Sequence, residues 1–282
     1  MLSVNTALAA PPPLSAVQAD DRVLVVAPHP DDETLCCGGL IQQALAVGAE
    51  VAIVWITDGD GFEFDAVVVE HTLRPRSGGL LRLGAQRMRE ARAAAEMLGV
   101  PTDRQYFLGY PDRGIAVMLD TSFEHDYRSR YTGASTVPYA GALSSGAAYT
   151  GANLQQDLSQ VIDGFEPTLV LAAAPQDLHP DHAASGQLTR RILEARGELP
   201  LLHYWIVHAG PHWPQPRRYR PLAPLQPPQI AALLSWTAVP VSTAERTQKL
   251  LALRQQHSQM RVMAPFLESF VRANELFAPA AP

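Results

Sequence analysis

The stretch Val23-Leu24-Val25-Val26-Ala27-Pro28-His29-Pro30-Asp31-Asp32-Glu33 decides how this chain is read. Five apolar residues in a row suit a short strand buried on both faces. Pro28 ends the strand. The polar run then gives way to a helical pattern from Thr34 to about Val47, closed by Gly48. A strand that turns directly into a helix opens a strand–helix alternation, and the rest of the chain continues it.

Glu50 to Thr57 forms a second apolar strand through Val51, Ile53, Val54 and Ile56, stopped by Asp58-Gly59. Residues 60–79 read as a loop. Leu80 to Leu98 is an amphipathic helix with Met88, Ala91, Ala95 and Leu98 on one face. Gln105 to Leu108 is a third strand, followed by the turn Gly109-Tyr110-Pro111-Asp112-Arg113-Gly114. Residues 120–150 are rich in Gly, Ser, Thr and Tyr and too long for a simple connection, which suggests a functional loop or lid. A helix from about Asn153 to Phe165 then leads into a strand from Thr168 to Ala174. A helix running to about Ala195 and a strand from Leu201 to Val207 follow. The C-terminal part reads as mainly helical, over about 242–257 and 264–276.

This order predicts an α/β protein of Rossmann-like, three-layer form, its mostly parallel sheet covered on both faces. Right-handed crossovers place the C-terminal ends of the parallel strands along one rim, where open α/β sheets bind ligands. No second core or internal repeat is evident. Residues 1–20, with Ala9-Ala10-Pro11-Pro12-Pro13, read as a flexible tail and residues 21–282 as one domain.

Composition narrows the function classes. The chain has 282 residues, 47% apolar and 18% charged, as expected of a globular protein with one sizeable core. A net charge of −6 gives no reason to expect a nucleic-acid partner. No apolar run is long enough to cross a bilayer. Cys36 and Cys37 are adjacent and are expected as buried thiols on a helix face. The expected compartment is the cytoplasm, although an Ala-rich start leaves an export signal open. Oligomeric state is not legible.

Two polar clusters follow predicted strands. In His29-Pro30-Asp31-Asp32, residues three apart across a tight strand-to-helix turn point to one spot, so His29 and Asp32 form a candidate pair of metal ligands. The second cluster, His179-Pro180-Asp181-His182, supplies a third ligand from the same rim. Three protein ligands leave a zinc ion one open position, the mark of a catalytic site. Asp31 stands beside the ligands as a candidate base, and His179 as a candidate acid or oxyanion partner. Taken singly, such residues are turn formers or helix caps, and Asp181 reads as an N-cap.

Ala27-Pro28-His29-Pro30-Asp31-Asp32-Glu33, followed much later by His179-Pro180-Asp181-His182, resembles the PIG-L (LmbE-like) deacetylase family. The resemblance extends through Thr57-Asp58-Gly59, Arg87-Met88-Arg89-Glu90, Leu98-Gly99-Val100 and Phe107-Leu108-Gly109-Tyr110-Pro111-Asp112, and reaches Ser258-Gln259 and Asn274-Glu275-Leu276-Phe277. It implies one Zn2+ held by His29, Asp32 and His182, with other divalent metals possible, and Asp31 as general base. His179 becomes the acid or oxyanion partner, while Arg87 and Asp112 grip the sugar or its substituents. The implied reaction is hydrolysis of the N-acetyl group of an amino sugar or GlcNAc-containing conjugate. Family members can carry an aromatic just before the second motif, where this chain has Asp177 and Leu178; tyrosines of the 127–149 segment are candidate substitutes.

Rival readings keep different parts of this picture. A bulkier N-acyl sugar conjugate would change only the substrate. A metal phosphoesterase more often needs ligands for two ions, and only one compact set is evident. A silent sugar-binding protein would need neither Asp31 nor His179. For Arg87 the plainer reading is an exposed helix charge, and for Asp112 a turn residue. His71, His125, His203, His208, His212 and His257 lie outside both motifs and read as surface or core, with His125 the best outsider.

Overall fold

The computed structural model describes residues 11, 13–61 and 77–281. The polypeptide runs β1 (Arg22–Ala27), α1 (Asp32–Val47), β2 (Glu50–Thr57), α2 (Ser77–Leu98), β3 (Gln105–Tyr110) and α3 (Ile115–Asp120). It continues through α4 (Gly151–Phe165), β4 (Leu169–Ala173), α5 (Pro180–Arg196) and β5 (Leu202–Trp205). The last elements are β6 (Thr237–Pro240), α6 (Thr243–Leu253), α7 (His257–Leu267) and β7 (Asn274–Pro279).

The strands form one seven-stranded sheet in the order β3-β2-β1-β4-β5-β7-β6. The first five are parallel, and β7 pairs antiparallel with both β5 and β6. Alternation along β1 splits the core into two layers. Val23, Val25 and Ala27 face α1 and α2, whereas Leu24 and Val26 face α4 and α5. All five are fully buried, which is why this strand reads as an uninterrupted apolar run. The strand order reverses between β1 and β4, whose C-terminal ends therefore flank the switch-point crevice.

The C-terminal part departs from the sequence reading. The helix expected over 264–276 ends at Leu267, a 3-10 turn closes Glu268–Phe270, and Asn274–Pro279 is a strand. Burial on both faces decides this: Leu276, Phe277 and Ala278 lie at most 4% exposed between two strands. Glu275 is buried with them, accepting from the Gly39 and Leu40 N–H groups and pairing with Lys249 Nζ at 2.6 Å.

Cys36 and Cys37 are buried on α1 as expected, but joined by a disulfide (S–S 2.14 Å) in place of free thiols. Free thiols therefore give no support to a reducing compartment. Of residues 1–20, Pro13 bridges Ala238, and Leu14 and Val17 lie against the core. Of the loop expected over 60–79, residues 62–76 lie outside the described residues, and α2 begins at Ser77. Residues 120–150 are irregular but tied down, with Val137 N–H to Ala147 O at 2.9 Å and Tyr149 N–H to Ser135 O at 2.8 Å.

Candidate metal centre

The first motif occupies the turn between β1 and α1, and its backbone is held in an unusual shape. Asp31 has φ 107° and ψ −30°, a region that non-glycine residues rarely adopt and that costs about 1–3 kcal/mol. The neighbours over-determine it. The Asp31 N–H donates to Glu33 Oε2 at 3.0 Å, and its carbonyl accepts from Thr34 and Leu35 N–H groups at 3.0 and 2.9 Å. Glu33 is fixed in turn by the Trp55 Nε1–H at 2.9 Å and the Thr34 hydroxyl at 2.6 Å. Arg87, only 3% exposed, reaches across from α2 and donates to Pro30 O at 2.7 Å and Gly59 O at 3.0 Å. Gly59 has φ +66°, and a Cβ there would fall 1.8 Å from the Arg87 guanidinium, so glycine is required for this clamp.

The second motif begins α5. Here the structure corrects Asp181: His179 is the N-cap, its side chain accepting from the Asp181 N–H, and Asp181 sits in the first turn. The Asp181 carboxylate instead accepts from the Arg113 N–H at 2.5 Å and the Ile115 N–H at 3.2 Å, tying α5 to the turn before α3.

These two turns bring three atoms together. His29 Nδ1 lies 3.3 Å from Asp32 Oδ2 and 3.2 Å from His182 Nε2, and His182 Nε2 lies 3.1 Å from Asp32 Oδ2. Ligands at about 2.0–2.1 Å from a tetrahedral zinc stand about 3.3 Å apart. The close approach of two ring nitrogens is unfavourable for two N–H donors and natural for two lone pairs sharing a cation. The donor set therefore fits a metal ion. His29, His179 and His182 also meet the geometry of a cation-holding group, as do His29, Asp112 and Asp181. In the latter, Asp181 is engaged by two backbone N–H groups and Asp112 Oδ2 by the Gly61 N–H at 3.1 Å.

Flanking groups fix the rings. His182 Nδ1 lies 3.2 Å from Asp177 Oδ2, which also accepts from the Val207 and His208 N–H groups at 3.0 Å each. Donation from Nδ1 leaves Nε2 as a lone pair facing the triangle. His29 Nε2 contacts Asp112 Oδ1 at 3.2 Å. Because His179 Nδ1 accepts from a helix N–H, the proton of its neutral ring sits on Nε2.

Electrostatics separates the roles. Burial raises the Asp31 carboxyl well above the ordinary range; Arg87 opposes this, and Asp32 and Glu33 add to it. Burial, then the His29, His182 and His208 rings, push His179 down to about 2. Burial works against Asp112 ionising, but His29 beside it outweighs this and holds the carboxyl below its usual value.

All seven site residues named from the sequence line or border one cavity of about 200 Å³: His29, Asp31, Asp32, Arg87, Asp112 and His179 line it, and His182 stands behind Asp32. Arg87 is buried and so is not the exposed helix charge of the plainer reading, while Asp112 does lie in a turn but is buried with its carboxylate against His29. Sequence reasoning missed Asp177 and His208. The His208 ring packs with its centre 5.2 Å from that of His179, tilted, and 4.7 Å from that of His182, edge-on, so it belongs to the site and not to surface or general core. Its position just beyond a predicted strand end was the available signal. Tyr139 and Tyr149 turn away, to Asp60 Oδ2 at 2.8 Å and Gly109 O at 3.4 Å.

A doubly covered, mostly parallel sheet with a His–Asp–His donor triangle at its switch point defines an α/β protein with a candidate single-cation centre. Residues 24–193 match the PIG-L family, described as GlcNAc-PI de-N-acetylase, and the chain belongs to that family. It is 32% identical over 198 residues to 1D-myo-inositol 2-acetamido-2-deoxy-alpha-D-glucopyranoside deacetylase of Mycobacterium sp. (strain KMS), covering 66% of this chain and 54% of that protein. The chain thus spans about half the length of the curated relatives it matches. The fold also resembles N,N′-diacetylchitobiose deacetylase from Pyrococcus horikoshii, with TM-score 0.54, 22% identity and coverage of 91% and 82%. A hydratase, GalB from Pseudomonas putida KT2440, shares it too, with TM-score 0.54, 17% identity and coverage of 89% and 82%. The fold alone does not choose the reaction.

Proposed function

We propose that this protein is a zinc-dependent hydrolase that removes the N-acetyl group from an amino sugar or GlcNAc-containing conjugate, with residues 21–282 acting as one catalytic domain. The observation that carries the reading is the donor triangle of His29, Asp32 and His182, with edges of 3.1–3.3 Å, beside Asp31 and His179. Family membership and the deacetylase relatives support the reaction type.

His29 Nδ1, Asp32 Oδ2 and His182 Nε2 would hold the ion. The chemistry supplied by zinc in such a site is Lewis acidity, which polarises a carbonyl and acidifies water. Asp31 takes the proton of the attacking water and delivers it to the departing nitrogen, help of a kind worth about 10²–10⁴-fold. Arg87 keeps the Asp31 turn in place, its guanidinium 3.6 Å from Asp31 Oδ2. His179, its ring proton left on Nε2 by the Asp181 N–H at Nδ1, would donate that N–H to the developing oxyanion, which favours the oxyanion role over that of general acid. Asp112 orients His29 and stands where a sugar hydroxyl can reach its edge.

The test is amine release from a panel of N-acetylated sugars by zinc-loaded protein, with Asp31→Asn as the control. Turnover by the native protein and a loss of at least about 10²-fold in a variant that keeps its metal is the expected result. A chain that binds no divalent ion, or an Asp31→Asn variant with full activity, would sink the mechanism.

A further inference from the structure

Beside the candidate metal centre lies a second, larger cavity of about 420 Å³, within the range of small-ligand sites. It shares His179, His208, Arg113 and Phe266 with the metal cavity, so one ligand can occupy both. Its other distinctive residues are Arg130 and Arg217, and among the described residues no Asp or Glu lines it. This is unusual for a chain with 28 acidic and 22 basic residues. Some arginines elsewhere pair with carboxylates, among them Arg22 with Glu166, Arg104 with Glu50, Arg190 with Glu194 and Arg196 with Asp163, and others do not. Among the described residues, Arg113, Arg130 and Arg217 are in no such pair.

They are braced by aromatic rings instead. The Arg130 guanidinium lies 4.8 Å and that of Arg113 5.8 Å from the centre of the Tyr131 ring, and Arg217 lies 4.9 Å over Phe266. Among the described residues, the Arg130 guanidinium donates to the Tyr131 hydroxyl and that of Arg217 to Pro211 O. Stacking orients a guanidinium while leaving most of its five N–H donors free, an arrangement suited to carboxylate or phosphate. The Arg113 backbone is fixed as well, with φ 60° and its N–H bound to Asp181.

We propose that this cavity is an oxyanion subsite: the substrate carries a phosphate or carboxylate on the part of the molecule that extends from the metal centre past His179 and His208. The inference rests on the hydrolase reading above and adds that the substrate is an anionic conjugate, not a neutral sugar.

The first measurement is kcat/KM of the zinc-loaded protein for N-acetylglucosamine, its 1-phosphate and N-acetylmuramic acid, which present a neutral, a phosphate and a carboxylate form of one amide. At least one anionic sugar is expected to be preferred about tenfold or more, a margin that shrinks as salt is raised. The preferred anion identifies its source. In Arg130→Ala/Arg217→Ala that preference falls about tenfold, and the double lysine variant keeps part of it. The second measurement needs no turnover: calorimetry with inorganic phosphate, whose Kd should rise at least about fivefold in the alanine variant. If no sugar is cleaved but phosphate binding depends on these arginines, the deacetylase reading fails and the subsite stands. Equal use of neutral and anionic sugars overturns the subsite, as does a phosphate Kd that the alanine variant leaves unchanged.

Discussion

The ligand atoms of the candidate centre were legible because they are packed into two short motifs, each after an apolar strand. Their supports were not. Asp177 acts through its contact with His182 Nδ1 and through the Val207 and His208 N–H groups, some thirty residues away, so no local pattern announces it. Its role gives a sharp expectation. Asp177→Asn should weaken zinc binding by about 10–100-fold while the protein stays folded, as read by competition with a chromogenic chelator. An unchanged affinity would mean that the contact orients nothing. His208 was missed for a related reason: one histidine after a strand has no partner in sequence, and only the fold sets it against His179 and His182.

Elements built from local periodicity were read to within a few residues, as β2 and α1 show. The strand β7 was not, because its identity depends on distant partners. Lys249 Nζ donates to Leu35 O at 2.9 Å while Glu275 accepts from the Gly39 N–H at 2.7 Å, the two backbone groups that an α-helix pairs with each other. This buried ion pair joins α1, α6 and β7. Lys249→Met would strand the Glu275 carboxylate in the interior, and a loss of about 3–5 kcal/mol in urea unfolding is expected. A loss below 1 kcal/mol would show that the pair is dispensable. On the other face, α5 approaches β4 so closely that a Cβ on Gly186 would meet Ala173 O at 1.9 Å. Gly186→Ala is expected to cost about 1–3 kcal/mol. It should also lower zinc affinity, because α5 carries His182; stability and metal titrations on the same preparation would test the linkage.

At the scale of the molecule, the strand order was only partly foreseeable: continuous apolar strands gave the parallel part, and the antiparallel β7–β6 edge came from tertiary contacts. The site sits where the order reverses. A cation held there would bind the folded chain and have no comparable site in the unfolded one, so its removal should destabilise the whole protein. At a metal concentration about 1,000-fold above Kd the stabilisation is about 4 kcal/mol, and stripping the ion should lower the melting temperature on the order of 10 °C. Calorimetry with and without a chelator would show it, and coincident melting curves would refute it. The crevice has one more consequence. His29 and Asp32 belong to the half of the sheet begun by β1, and His182 to the half begun by β4, 153 residues further on. Severed at a bare surface position such as Gly146, where nothing lies within 4 Å of an added Cβ, the polypeptide would yield two pieces, neither owning a complete ligand set. Such a split chain would work as a complementation reporter whose reassembly is gated by the metal.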